Sequence, residues 1–209
     1  MNSITWRRRA SSTSTVCPPA SSTKTRQCTT PASPLPHLLA LLKPDETIKE
    51  QRVTAYDERD TFGSYLEEFS VGDTWKHWPG KTITEADNHV HSLLVMNHHP
   101  LHIDEEWNRA GQHGKILVNG TLVFSIVVGM TVRALSGKAI ANLEYETVKH
   151  DGPVHIGDTI YASSEILSIT PSRSKPDRGV VYAETLAHNQ RDEQILSLRR
   201  KFLVLRRPA

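Results

Sequence analysis

The sequence predicts an α+β domain in which a long antiparallel sheet wraps around one buried helix. Three observations carry that expectation. Residues Thr121–Leu135 are apolar almost all round, the mark of a helix inside a core. Their β-branched content would equally fit a strand, but fifteen residues are long for one strand and natural for a helix. After Gly137 the pattern changes to alternating segments divided by Pro, Gly and polar turns. The order is then strand, helix, helix, long helix, four strands, and an antiparallel sheet curled around the long helix satisfies it.

Taken in order, Ser64–Asp73 is a lead-in segment that puts an aromatic residue on the core and ends in a Gly-Asp turn. Thr74–Ile83 alternates as a strand, with Pro79-Gly80 marking a bend or bulge inside it. Thr84-Glu85-Ala86-Asp87 has the form of a helix start, with a capping hydroxyl and acids at the positive end of the dipole. That helix runs through Val90, Leu93 and Leu94 to about Asn97. Pro100 stops it and biases His99 away from helical angles. Asp104 caps a second helix, Glu105–Ala110, which Gly111 ends. Gly120 opens the long helix. Strands follow at Ala139–Val148 and, after the turn Pro153–Asp158, at Thr159–Ile169. The loop Pro171–Gly179 precedes a hairpin of Val180–Asn189 and Gln194–Leu205.

Composition narrows the function classes. With a net charge of +2 there is no global electrostatic case for nucleic acid. The longest apolar run, Leu122–Met130, is interrupted by Ser125 and Gly129 and falls short of the ~20 residues a membrane span needs. Both cysteines, Cys17 and Cys28, lie near the N-terminus, so no disulfide framework or zinc spacing holds the folded part. Residues 1–60 read as a disordered basic extension and linker, and 64–209 as the folded domain. The extension is rich in Ser, Thr and Pro and has no Asp or Glu before Asp45. A transit peptide has that composition, and so has an extension without a targeting role. The expected location is the cytoplasm, or the mitochondrion if the chain is eukaryotic.

The chemistry concentrates between Met96 and Asp104, in Met-Asn-His-His-Pro-Leu-His-Ile-Asp, and in the turn Val118-Asn119-Gly120. His102 can act as acid or base near neutral pH. Asn97 cannot ionise but can hold water or substrate through its amide. Gly120 would let backbone come close to a substrate, beside the free N–H groups of the helix it opens. Each residue also has a structural alternative: His102 closing the loop, Gly120 as a plain turn glycine, Asp87 in the first turn of its helix, Asp104 as a cap. His98 and His102 stand four apart, but Pro100 lies between them and no Cys or Glu completes a metal set, so no metal is expected.

These residues carry a family likeness. Asn97–Asp104 resembles the loop Asp-x-Asn-Pro-(Leu/Ile)-His-x-Asp of MaoC-like, (R)-specific enoyl-CoA hydratases. Leu117–Gly120, followed by an apolar helix, is similar to that family's Ala-His-Gly helix start. Pro153-Val154-x-x-Gly157-Asp158-Thr159 is similar to its Pro-Val-x-x-Gly-Asp-Thr turn. The resemblance spans about residues 64–206 and implies the hot-dog fold. Met-Asn-x-x-Pro-Leu-His, with Thr84–Asn88 upstream, is nearest to the mesaconyl-CoA hydratase (β-methylmalyl-CoA dehydratase) branch. The chain departs from the pattern where the family's catalytic aspartate falls on Asn97, its asparagine on His99, and the helix serine of some relatives on Val128.

The resemblance implies reversible hydration of a short enoyl-CoA, linear or methyl-branched, with no cofactor, because CoA is part of the substrate. It implies His102, Asn97 and Gly120 as catalytic residues, His99, Asn119 and Asp87 as substrate-binding residues, and a homo-oligomer. Arg173, Lys175 and Arg178 are either a solvated loop or contacts for CoA phosphates. Two rivals stay open: an acyl-CoA-binding protein without turnover, for which Asn97 is the argument, and an acyl-CoA thioesterase.

Overall fold

The structure, a computed structural model, describes residues 55–208. The expected N-terminal extension lies almost wholly outside them. Strands β1 (Thr74–Thr82), β2 (Ala139–His150), β3 (Thr159–Pro171), β4 (Arg178–His188) and β5 (Gln194–Leu205) form one sheet in the order β1-β3-β4-β5-β2. Every neighbouring pair is antiparallel. Helix α1 (Glu85–Leu94) and the short helices α2 (Pro100–Ile103) and α3 (Glu105–Arg109) precede α4 (Gly120–Met130), which a π-helical turn extends over Val132–Ser136.

The expected order of elements is therefore present. The register of β1 against β3 shifts between His77 and Lys81, at the bend that Pro79-Gly80 signals. Two details differ. The region after Asn97 is not all loop, because Pro100 starts α2 instead of only ending α1. Proline suits a first helical position, where its missing N–H would have no partner anyway. Nor is α4 buried on every side: Thr121, Ser125 and Gly129, spaced four apart, line an exposed stripe.

The inner face of the sheet holds two apolar clusters, one under each end of the helical run. The first joins Leu122, Val123 and Val127 of α4 to Ile83, Ile160, Ala162, Ala187, Leu196 and Leu198. The second joins Leu135 to Leu66, Phe69, Ile166, Val181, Phe202 and Val204. Between them four strands and the turn after α4 each contribute one polar residue: His77 on β1, Ser164 on β3, Thr185 on β4, Arg200 on β5 and Thr131 after α4, all buried. His77 Nε2 lies 2.8 Å from Ser164 Oγ, which lies 2.7 Å from Thr185 Oγ1. Arg200, 1% exposed, donates to Asn142 Oδ1 (2.9 Å), Thr131 Oγ1 (2.7 Å) and Ser136 Oγ (3.2 Å). Its Nε has no partner.

This belt makes the fold pH-sensitive. Burial, reinforced by the Arg200 charge, pushes the His77 imidazole down to about 4, so the folded state holds it neutral. An unfolded histidine titrates near ~6.5 and takes up its proton first. Stability is thus fully present above pH ~6.5 and falls as pH drops toward 4, by about 3 kcal/mol for this group. Urea unfolding at pH 7 and pH 4.5 should show that loss, and His77→Gln should flatten it. An equal loss in the variant would place its origin elsewhere.

Candidate active site

The site is built where α1, α2 and α4 meet the turn before β3. Thr84 and Asp87 cap α1 reciprocally: Thr84 Oγ1 accepts from Asp87 N (3.2 Å), and the Asp87 carboxylate accepts from Thr84 N (2.9 Å). The Lys81 ammonium, 2.8 Å away, and the two Thr84 donors hold the Asp87 carboxyl down to about 2. A carboxylate so committed is a poor base. Asp87 lines a groove with Val90, His91 and Leu94, apart from the pocket that holds His102.

Helix α1 ends in a Schellman turn. Asn97 N–H reaches back to Ser92 O (2.9 Å) and Met96 N–H to Leu93 O (3.1 Å). Met96 takes the left-handed position, φ 60°, that glycine usually fills. The turn redirects the chain, so Asn97 leaves the helix half-buried, its Oδ1 accepting from His99 N–H (3.3 Å). His99 caps α2, with its Nδ1 accepting from Leu101 N–H (3.1 Å). Its exposed ring stands edge-on to His102 at 6.3 Å between centroids. Asp104 caps α3 through Trp107 N–H, as expected (2.9 Å).

Two buried asparagines lock this assembly. Asn88, fully buried on α1, donates to His102 O (2.7 Å) and accepts from Asn119 N–H (2.9 Å). It thus joins α2 to the start of α4. Asn108 on α3 donates to the carbonyls of Pro100, Leu101 and Asp104. Asn119 is 2% exposed. Its Oδ1 caps α4 at Thr121 N–H (3.0 Å) and its amide points at Ser92 Oγ (3.3 Å). Its side chain thereby holds the start of α4, at Gly120.

His102 occupies the centre. Its Nδ1 lies 2.9 Å from Leu117 O. A carbonyl only accepts, so Nδ1 carries a proton, and the lone pair of the uncharged form falls on Nε2. His102 shares a pocket of about 210 Å³ with Val118, Gly120, Val123, His150 and Val154. Gly120 is the first residue of α4, where N–H groups lack intrahelical partners. The structure thus brings His102 and Gly120 together, with Asn97 and His99 outside that lining.

Asn88, Asn108 and His150 escape sequence reasoning as site residues. His150 had one usable signal, its place just before the Pro153 turn. The cations Arg173, Lys175 and Arg178 lie at the other end of β3, thirteen residues or roughly 40 Å of strand from the turn beside the pocket. Arg178 is paired there with Asp177 (2.8 Å).

The Pro153–Asp158 turn fixes the floor of the site. Gly157 adopts φ 91°, a conformation that suits glycine. Burial pushes the Asp158 carboxyl up, but bonds from Gln190, His155 N–H and Arg191 outweigh it and leave the group below its ordinary value. Among the described residues no three His, Cys, Asp or Glu side chains converge as metal ligands. No helix among them is long and apolar enough to cross a membrane.

Comparison with known proteins agrees with this architecture. The model of the MaoC-like domain matches residues 68–188. The chain is 31% identical over 145 residues to the β-methylmalyl-CoA dehydratase of Chloroflexus aurantiacus, an alignment covering 69% of this chain and 41% of that one. It is 30% identical over 145 residues to the mesaconyl-CoA hydratase of Cereibacter sphaeroides, covering 69% and 42%. The chain therefore spans about two fifths of the length of these curated relatives. A solved Mycobacterium tuberculosis protein described as having a double hot-dog fold superposes with a TM-score of 0.64 at 24% identity, over 70% of this chain and 45% of that one. By sequence the chain belongs to the MaoC-like domain family, and by structure it has the hot-dog fold.

Proposed function

We infer that the chain is a hydro-lyase that adds water to, and removes it from, a short enoyl-CoA thioester of the mesaconyl-CoA kind. One observation carries the reading: Leu117 O fixes the His102 tautomer, so that the Nε2 lone pair is available in the pocket where α4 begins. Hydration of an α,β-unsaturated thioester needs a base for the attacking water and donors for the oxygen that becomes enolate-like. His102 is the base. Gly120 N–H, at the positive end of α4, is the donor. Asn97 stays outside the pocket lining in this structure and is proposed to meet the attacking water through its NH2 when substrate is bound. The two relatives named above support the substrate class, and Asn97 at the family's aspartate position favours the rival of binding without turnover.

Equilibration from both sides separates the readings. A hydratase drives mesaconyl-CoA and its hydrated thioester to one common ratio, measured by chromatography of the CoA esters. A binding protein leaves both unchanged, and a thioesterase releases free CoA. Either of the last two results rejects the proposal.

A second copy of the chain supplies the other half of the assembly. Strand β2 is a sheet edge, and its apolar residues Ile140, Leu143, Tyr145 and Val148 are exposed. Unpaired apolar edges invite another strand, and the double hot-dog neighbour contains two such units in one chain. Sedimentation should give twice the 23.4 kDa chain mass, and a monomer at micromolar concentration would count against it.

A further inference from the structure

Hydration needs two proton transfers, and the reading above assigns a residue to only one. We propose that His150 is the second catalytic residue of the pocket, the proton donor to the α-carbon of the bound enoyl thioester. The proposal rests on the hydratase reading.

His150 closes β2, and its ring lies against the first residue of α4. A Cβ on Gly120 would stand 2.9 Å from both Cε1 and Nε2 of that imidazole, so glycine is what lets the ring approach. The same ring lines the pocket with His102, and these two are the only ionisable side chains in that lining. The carboxylates on the elements that build the site are committed elsewhere. Asp87 pairs with Lys81, Asp104 caps α3, Asp151 pairs with Lys149 and accepts from Gln194, and Asp158 holds its turn. No described residue is hydrogen-bonded to either ring nitrogen of His150, which leaves both for substrate and solvent.

Position divides the labour. A thioester oxygen held by Gly120 N–H is separated from its α-carbon only by the carbonyl carbon. A ring in contact with Gly120 therefore stands on the enolate side. Water attacks the β-carbon while His102 Nε2 takes one of its protons. The Cα=Cβ electron pair moves to the α-carbon and is delocalised onto the thioester oxygen. The His150 imidazolium then transfers its proton to the α-carbon, forming the new C–H bond and becoming neutral. His102 returns its proton to solvent and His150, which is exposed, draws one from it. The sum is one water added. The sequence-level difficulty, an amide at the family's aspartate position, is resolved by an imidazole from a distant strand.

The test uses the full chain with crotonyl-CoA and mesaconyl-CoA. His150→Gln should lower kcat by ~10²–10⁴-fold with KM within about threefold, and slow deuterium incorporation at the α-carbon in heavy water in step. His150→Ala, checked for folding by circular dichroism, should regain part of its rate with added imidazole. A His150→Gln kcat within about threefold of the parent, or a loss confined to KM, overturns the assignment and leaves the hydratase reading standing. A parent chain that turns over neither thioester overturns both.

Discussion

His102→Ala is expected to lose hydration by roughly 10³-fold in kcat, within the range general acid–base catalysis supplies. The fold should survive, because the half-buried ring makes one bond, to Leu117 O, and that carbonyl borders the pocket, where water can replace the ring. Melting should therefore shift by no more than about 1 kcal/mol of stability. Asn97→Asp makes the matching comparison. Asn97 only orients water in this account, so a carboxylate there should keep or raise the rate. Steady-state kinetics on both variants decide it, and equal, mild losses from the two would refute the assigned roles.

Asn88→Ala is expected to cost most in stability. The side chain is fully buried and satisfies two backbone groups, His102 O at 2.7 Å and Asn119 N–H at 2.9 Å. Truncation orphans both in a dry place, at about 1–3 kcal/mol each before relaxation. A net loss of about 3 kcal/mol lowers the melting temperature by roughly 6–12 °C in a domain of this size. Activity should fall further than stability does, because the same bonds set α2 against the start of α4. Asn88→Asp should not rescue, since a carboxylate facing His102 O replaces a donor with a second acceptor. Thermal melts and kcat on both variants measure this, and a fully active Asn88→Ala would show that the clamp does not position His102.

What the sequence shows of this site depends on how local each feature is. The strands and α4 are legible because period and length are local properties, and Pro79-Gly80 marks its bulge by backbone chemistry alone. Asp104 and Thr84 reveal themselves as caps for the same reason. Helix α2 does not, because four residues carry no period and Pro100 reads as a stop. Asn88 looks like one more polar residue on a helix, and its burial follows only from how α1 meets α4. The polar belt shows in the sequence only as one arginine among alternating apolar residues of β5. The arginine's bonded partners come from β2 and from the residues after α4, and the other members of the belt from β1, β3 and β4. His150 is the extreme case: its contact with Gly120 joins residues thirty positions apart, and nothing near either one announces the other.

The most direct test of the hydratase account is to mix the purified chain with mesaconyl-CoA, with crotonyl-CoA in parallel, and follow the enoyl-thioester absorbance. The account predicts a decline that levels at an equilibrium value, proportional in rate to the amount of chain and absent with His102→Ala. Constant absorbance with both thioesters, alongside measurable binding of either, would contradict it.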